Sequence, residues 1–300
     1  MTYSLVAADP ATGEVGVAVQ SKYFAVGAVV PWARAGVGAV ATQAAGVAAY
    51  GPAVLAQLEQ GVGSEEALRR ALADDDGREH RQLGVVSADG VVAVHTGSRC
   101  NEWAGDVVGD GFAALGNILA GPAVVEEMAR AFRQTPGLLS ERLLAGLEAA
   151  QAAGGDRRGQ QSAALIVERR GAARETREGI DRVVDLRVDD HPQPVAELRR
   201  LIGIQQVWGA IRLGSARRAR RDFEGAIHVL AGALRRFPDD ATLLYEIACH
   251  ESLAGRPDQA LAHLRRSLEL DPGYRELAAV DEDFAGLRDD ARFRALTGAA

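Results

Sequence analysis

Two residues near the start of the sequence have the types and the spacing for amide chemistry. Thr2 follows Met1, and Lys22 is the only lysine among 34 basic residues. If the residue before Thr2 is removed, as methionine aminopeptidase does when the next residue is small, Thr2 carries both a hydroxyl and a free α-amine. The ordinary pKa of an α-amine is about 7.7 to 8.0, so near neutral pH the amine can accept the hydroxyl proton. Thr2 would then be nucleophile and base in one residue.

Lys22 is the second candidate for chemistry. It comes just after the predicted second strand, at the end of a hairpin that an antiparallel pair brings beside Thr2. A nearby ammonium ion favours the neutral form of an amine by like-charge repulsion. Lysine is compact and can change its proton affinity on burial, whereas arginine stays charged. The sequence therefore predicts that Lys22 tunes the amine of Thr2, the alternative being an ordinary surface lysine.

The elements that must position these residues mix strand and helix patterns over the first two hundred residues. The predicted strands cover 2–8, 15–20, 37–43, 82–87, 91–96, 111–116, 162–168 and 182–188, and the predicted helices cover 50–60, 64–73, 122–133 and 138–152. Ser64 is predicted as an N-cap. The turn formers of D-P-A-T-G-E indicate a hairpin between the first two strands. The order of the elements predicts a four-layer α+β arrangement.

A second domain is predicted at residues 204–300, after a first domain at 1–203. The pattern there is helical, and four residues recur 34 positions later: Ala226, Leu230, Leu234 and Pro238 as Ala260, Leu264, Leu268 and Pro272. This spacing is the period of tetratricopeptide repeats. Two repeats and a degenerate third are too few to bury a core alone. We therefore expect this module to dock on the first domain, to bind a protein partner or to self-associate.

Composition and charge exclude several classes of function. The formal net charge is −7 and no basic face or tail stands out, so we expect no binding to nucleic acid or to a membrane surface. Cys100 and Cys249 have no C-x-x-C spacing and the histidines have no ligand spacing, so we expect no disulfide framework, no metal and no cofactor. No signal peptide or spanning segment is evident, which predicts a cytoplasmic protein.

Several long segments in the first domain resemble one family. They are T-Y-S-L-V-A-A-D-P, V-A-V-Q-S-K-Y-F-A-V-G-A-V-V-P-W, G-V-G-A-V-A-T-Q-A, W-A-G, G-N-I-L-A-G-P, G-G-D-R-R-G-Q-Q-S-A-A-L and V-D-L-R-V-D-D-H-P. They resemble domain-of-unknown-function family 1028, a bacterial and archaeal family assigned to the N-terminal nucleophile hydrolases. The resemblance implies an αββα sandwich in which an N-terminal nucleophile hydrolyses an amide or related bond. It does not extend to the repeats.

The resemblance also implies further site residues. In proteasome-like members, backbone amides after the third strand form an oxyanion hole, and each donor contributes about 2.7 to 4 kcal/mol. The corresponding amides in this sequence are around Thr42, Gln43 and Ala44. The residues themselves make Asp156 and Arg157 candidates to orient the amine or the substrate, with Gln161 and Ser162 entering the following strand near the site, the alternative being a plain structural turn. Ser21, at the end of the second strand, is a further candidate for oxyanion or substrate binding. Asn117 is a candidate side-chain donor, the alternative being a turn asparagine. Proteasome-like members take their lysine from the strand after the second one, so the position of Lys22 departs from that pattern.

The predicted function is that of an amidohydrolase. Thr2 attacks a carbonyl carbon, its own amine moves the proton, and Lys22 tunes that amine. Amides near Gln43, together with Asn117, hold the oxyanion. The substrate is expected to be a small molecule or a peptide, and the alternative is a non-catalytic scaffold whose helical repeats recruit a partner.

Overall fold

The computed structural model describes residues 2–174 and 179–298 of the chain. These residues fall into two compact units, one extending up to Leu201 and one beginning at Ile202. The boundary lies within the long helix Pro194–Ala219. No helix within the described ranges is both long enough and apolar enough to cross a membrane.

The first unit contains strands and helices in mixed order. Its strands are β1 (Thr2–Asp9), β2 (Glu14–Ser21), β3 (Pro31–Arg34), β4 (Gly38–Ala44), β5 (Arg81–Ser87), β6 (Val92–Thr96), β7 (Gly105–Gly109), β8 (Phe112–Asn117), β9 (Ser162–Arg169) and β10 (Arg182–Val188). Its helices are α1 (Tyr50–Glu59), α2 (Ser64–Leu72), α3 (Ala123–Gln134) and α4 (Leu139–Ala152), followed by α5 (Pro194–Ala219), which continues into the second unit. The mixed α+β class predicted from the sequence is confirmed.

The strands form two antiparallel sheets. The order in the larger sheet is β10, β9, β2, β1, β8, β7, and in the smaller sheet it is β3, β4, β5, β6. The hairpin between β1 and β2 closes as Gly13 N donates to Asp9 O at 2.8 Å. Gly13 has a φ of 73°, a conformation that glycine adopts without steric cost. The N-terminal strand is therefore an interior strand of the larger sheet, between β2 and β8.

The two faces of β1 have different neighbours, because successive side chains of a strand point to opposite sides. Ser4 faces the smaller sheet, where its Oγ donates to Gln43 Oε1 of β4 at 2.5 Å. Leu5 faces α4, and it lies so close that a Cβ added to Gly146 would be 2.2 Å from its Cδ1. The larger sheet is thus packed between the smaller sheet and α4.

Helices α1 and α2 cover the other face of the smaller sheet. Val40 of β4 and Val85 of β5 share a buried cluster with Leu55 of α1 and Leu68 of α2. The apolar core between the sheets is separate and contains Val6, among others. The order through the first unit is therefore helices, sheet, sheet and helices.

Three local predictions differ from the structure. The sequence does not predict β3 or β7, because β3 begins at a proline and β7 is bounded by glycines, which disfavour a strand pattern. Pairing with β4 and β8 forms these strands instead. Ser64 is not the N-cap of α2 but its first helical residue, after the N-cap Gly63. Its hydroxyl donates to Val91 O at 2.8 Å.

The second unit is helical, as predicted. After α5 it contains α6 (Phe223–Leu234), α7 (Ala241–Leu253), α8 (Pro257–Leu270), α9 (Tyr274–Val280) and α10 (Ala291–Thr297). Among the recurring residues, Ala226 and Leu230 of α6 are fully buried, as are Ala260 and Leu264 of α8. Two of the four recurring pairs thus have equivalent burial in α6 and α8, whereas Leu234 is half-buried and its equivalent Leu268 is buried.

Candidate active site

Four polar residues form a row across one end of the larger sheet, where four neighbouring strands begin or end. Each is the first or last residue of its strand, and the order across the sheet is Ser162, Ser21, Thr2, Asn117. Residues directly opposite one another in antiparallel strands point to the same face, so all four side chains point to the same side of the sheet. The exposed fraction of each residue is 5% or less. Four buried side chains that can form hydrogen bonds therefore lie side by side at this end of the sheet.

Thr2 and Ser21 are in direct contact within this row. Thr2 Oγ1 donates a hydrogen bond to Ser21 Oγ at 3.1 Å. Thr2 is 5% exposed and Ser21 is fully buried. The hydroxyl of Thr2 is thus held in one direction by a neighbouring strand.

A cavity of about 230 Å³ opens beside Thr2, and it is called the Thr2 cavity below. Its lining includes the candidate residues Thr2, Ser21, Thr42, Gln43 and Ala44. The rest of the lining consists of Tyr23, Val26, Val29, Val30, Gly46, Ala48 and Arg158. Five residues selected from the sequence therefore surround one cavity, whose other walls are mostly apolar.

A backbone amide at the end of β4 lies beside this cavity. Thr42 N donates to Val30 O at 3.1 Å, on the side of β3. N–H groups of alternate residues in an antiparallel strand point to the same side, so the N–H of Ala44 is directed to that side as well. Pairing of β3 with β4 stops at Pro31 opposite Ala41, which leaves Ala44 beyond the paired region. Ala44 has a φ of 69°, which favours glycine, and such an outlier beside a cavity suggests a function.

Buried amide side chains form a network behind Thr2. Gln43 Nε2 donates to Gln82 Oε1 at 2.8 Å, and Asn117 Nδ2 donates to the same oxygen at 3.0 Å. Gln82 Nε2 in turn donates to Gly116 O at 2.8 Å. Asn117 is therefore held by Gln82, and it is not among the described residues that line the Thr2 cavity. Gln82 was not identified from the sequence, since a single glutamine at the start of a strand has no distinguishing pattern.

Asp156 anchors the segment that follows β2. Its carboxylate accepts hydrogen bonds from Lys22 N at 3.0 Å and from Arg158 N at 2.8 Å. It also forms an ion pair with the Arg158 guanidinium at 3.3 Å, and the Asp156 side chain is fully buried. The pKa of Tyr3 is raised, mainly by burial and further by the negative charge of Asp156. Asp156 is therefore a buried carboxylate near the start of β1.

The side chain of Lys22 does not reach the Thr2 cavity. It is exposed, and its Nζ donates to Gln160 O at 3.2 Å. Only the backbone N–H of Lys22 contacts a buried site residue, Asp156. The contact expected between the ammonium and the amine of Thr2 is thus not found, because the chain turns outward immediately after Ser21.

Arg158 rather than Arg157 lies at the cavity. Arg157 is exposed, and its backbone N donates to Ile118 O at 3.3 Å. The hydrogen bond from Arg158 N to Asp156 is an Asx-turn, in which an aspartate binds the backbone two residues ahead. The spacing D-R-R contains this signal, and it would have selected the second arginine.

Gln161 and Ser162 are not among the described residues that line the Thr2 cavity. Gln161 Nε2 donates to Asp190 Oδ1 at 3.1 Å. Ser162 Oγ donates to Tyr23 O at 2.5 Å and accepts from Val26 N at 3.0 Å. Ser162 therefore holds the backbone of two residues that line the cavity.

The two cysteines lie in different units of the chain, and burial raises the pKa of both thiols. Burial is the main cause that raises the pKa of the Cys100 thiol, so this side chain stays protonated. In the second unit, Cys249, Asp281 and Asp283 each offer one ligand atom within 4.8 Å of the others. Asp283 already forms a two-pronged ion pair with Arg218, and burial raises the pKa of Cys249. A guanidinium thus already neutralises this group.

Comparison with known proteins gives a family and structural similarity to one of its members. Residues 2–198 match the model of a family of unknown function, DUF1028. The crystal structure of protein SPO2555 from Silicibacter pomeroyi, described as a member of that family, is similar with a TM-score of 0.61 and 33% sequence identity. The similarity covers 67% of the present chain and 84% of that chain. No curated protein sequence shows significant similarity to the chain.

Proposed function

This chain belongs to the DUF1028 family of unknown function, and we propose that it is an N-terminal nucleophile hydrolase that cleaves an amide or related bond. The observation that carries the proposal is the hydrogen bond from Thr2 Oγ1 to Ser21 Oγ beside a cavity. A threonine at the first position of a buried interior strand, with its hydroxyl hydrogen-bonded and a cavity beside it, supports a role as nucleophile.

The proposed reaction begins with removal of whatever precedes Thr2. The freed amine takes the proton from Oγ1 as this oxygen attacks the carbonyl carbon of the substrate. The carbon–nitrogen bond then breaks, and the amine returns the proton to the leaving nitrogen. The same amine then deprotonates a water molecule that attacks the resulting ester, the bond from the acyl carbon to Oγ1 breaks, and the amine returns the proton to Oγ1 as the acid leaves. The cycle needs no group besides Thr2 for proton transfer.

The developing oxyanion has a donor of its own. Ala44 lines the Thr2 cavity, and its backbone N–H lies on the same side of β4 as that of Thr42. Donors that need no reorganisation stabilise such a transition state by about 2.7 to 4 kcal/mol each. Ala44 is therefore our candidate for the oxyanion hole, in place of Asn117.

The layer order supports the same assignment. N-terminal nucleophile hydrolases have the αββα arrangement that the sequence resemblance implies, and the first unit has helices, sheet, sheet and helices. Lys22 has no part in proton transfer in this scheme. We assign it a positioning role instead, since its backbone N–H joins the end of β2 to the buried Asp156.

The proposal is tested with a library of acyl amides and two substitutions at residue 2. Thr2→Ser keeps a hydroxyl and an amine and should retain turnover, whereas Thr2→Ala should abolish it. Ser64→Ala is the control and should keep full turnover, because the Ser64 hydroxyl binds Val91 O away from the Thr2 cavity. Full turnover by Thr2→Ala would refute the assignment.

A non-catalytic scaffold is the second candidate function. One observation favours it: Ile204 and Trp208 are 41% and 51% exposed, four residues apart on α5. Residues at this spacing lie on one face of a helix, where two large apolar side chains are suited to contact a partner. A chain ending before residue 202 that keeps the full biological activity would exclude this role.

A further inference from the structure

A second cavity of about 190 Å³ adjoins the first at Ala44, which lines both. We call it the Arg99 cavity, and it is lined by Ala44, Ala45, His80, Arg99, Cys100, Asn101, Asn117 and Ile118. Ala44 is the candidate oxyanion donor, so a carbonyl bound there lies at the junction of the two cavities. A substrate cleaved at Thr2 would therefore have one half on each side.

Arg99 places a guanidinium at the Arg99 cavity. Arg99 is exposed, and its guanidinium forms no hydrogen bond or ion pair with any residue in the described ranges. Its neighbours differ, because Arg81 is paired with Asp75. The carboxylate of Glu79 accepts from the backbone and hydroxyl of Ser98 rather than from Arg99. A free guanidinium beside a cavity is suited to bind a carboxylate.

The Thr2 cavity has the opposite character. Val26, Val29 and Val30 form an apolar wall, and Tyr23 at the cavity is 56% exposed. Arg158, which also lines this cavity, is paired with the buried carboxylate of Asp156. Binding of an apolar substrate group against this wall would be favourable, because it removes apolar surface from water.

From this contrast we propose that the substrate is an N-acylated amino acid. Its apolar acyl group lies in the Thr2 cavity, and the carboxylate of its amino-acid half binds Arg99. The inference rests on the proposed function for the position of the scissile bond. Cleavage yields the free carboxylic acid and the free amino acid, with one water consumed.

The test uses a matched pair of ligands, N-hexanoylglycine and N-hexanoylglycinamide, which differ only in the terminal carboxylate. Binding to the full-length Thr2→Ala protein is measured by calorimetry, so that no turnover is needed. We expect the carboxylate ligand to bind about tenfold more tightly. Adding Arg99→Gln should remove this preference and leave the affinity for the amide unchanged. Arg212→Gln, at an exposed arginine of the second unit, is the control and should change neither.

Each outcome decides one of the two claims. Equal affinity for both ligands, no binding of either, or a preference that survives Arg99→Gln would overturn the substrate class. Hydrolysis of both ligands by the wild type at equal rates would overturn it too, while the proposed function would stand. A preference that depends on Arg99, without hydrolysis by the wild type, would support the ligand class and count against catalysis by Thr2.

Discussion

The hydroxyl of Thr2 is hydrogen-bonded to the hydroxyl of Ser21 on the adjacent strand, with 3.1 Å between the two oxygens. The register of β1 and β2 makes these residues direct partners, and both are buried at the edge of a cavity. The contact fixes the rotamer of the proposed nucleophile. The pairing of β1 with β2 therefore positions the hydroxyl that we propose as the nucleophile.

Ser21→Ala should slow acylation of Thr2. The substitution removes the acceptor of the Thr2 hydroxyl, and a typical hydrogen bond contributes about 1 kcal/mol, so we expect a rate several-fold to tenfold lower. The rate is measured with an N-terminal-threonine-directed β-lactone. Ser162→Ala is the matched control, because Ser162 lies in the same row and bonds Tyr23 and Val26 instead. Equal slowing in both variants would show that the row acts only through the fold.

Asp156→Asn should destabilise the first unit more than Arg158→Gln. Asp156 accepts from two backbone N–H groups through its two separate oxygens, whereas asparagine has only one side-chain oxygen. One N–H group therefore loses its acceptor, and a buried group left unsatisfied costs about 1 to 3 kcal/mol. Arg158→Gln removes the ion pair, whose guanidinium side is 44% exposed, and such pairs contribute at most about 1 kcal/mol. Unfolding by denaturant measures both. A larger loss in Arg158→Gln would contradict the anchoring role of Asp156.

The second unit should lose stability as the pH rises. His263 Nδ1 lies 2.7 Å from Glu251 Oε2, and this hydrogen bond raises the pKa of His263 above 6.5. A raised histidine pKa means that the folded state binds the proton more tightly than the unfolded state. The stabilisation is therefore complete below the ordinary pKa and is lost as the pH passes through the raised value.

His263→Gln provides the comparison for this pH effect. The difference in unfolding free energy between wild type and variant should shrink from about pH 5.5 to about pH 8.5. Denaturant unfolding followed in the transition of the helical unit gives this difference at each pH. A difference that stays constant, or grows with pH, would show that the ion pair does not contribute in this way.

The sequence predicted the parts of the fold that depend on local patterns. Alternating apolar residues and turn formers located β1, β2 and the hairpin between them, and the mixed α+β class and the family are confirmed. The N-terminal nucleophile assignment and the tetratricopeptide character of the repeats stay predictions. The strands β3 and β7 could not be predicted, because their pairing partners rather than their own sequences stabilise them.

The sequence predicted the parts of the candidate site whose positions depend only on which residues of neighbouring strands are paired. Thr2 and Ser21 are brought together by the hairpin, and the cavity follows the end of β4 at Ala44. The direction of the Lys22 side chain depends on how the chain turns after β2, which no local pattern specifies. The choice between Arg157 and Arg158 depends on one side-chain to backbone hydrogen bond, and only knowledge of the Asx-turn would have decided it.

The central claim is that Thr2 is a free N-terminal nucleophile, and the most direct measurement is peptide mapping by mass spectrometry before and after treatment with the β-lactone. We predict that mature protein begins at Thr2 and that a single adduct forms on this residue. Thr2→Ala should remain unmodified, and Lys22→Ala should still form the adduct, because its ammonium does not contact the site. A residue retained before Thr2, or a free Thr2 that stays unmodified, would contradict the account.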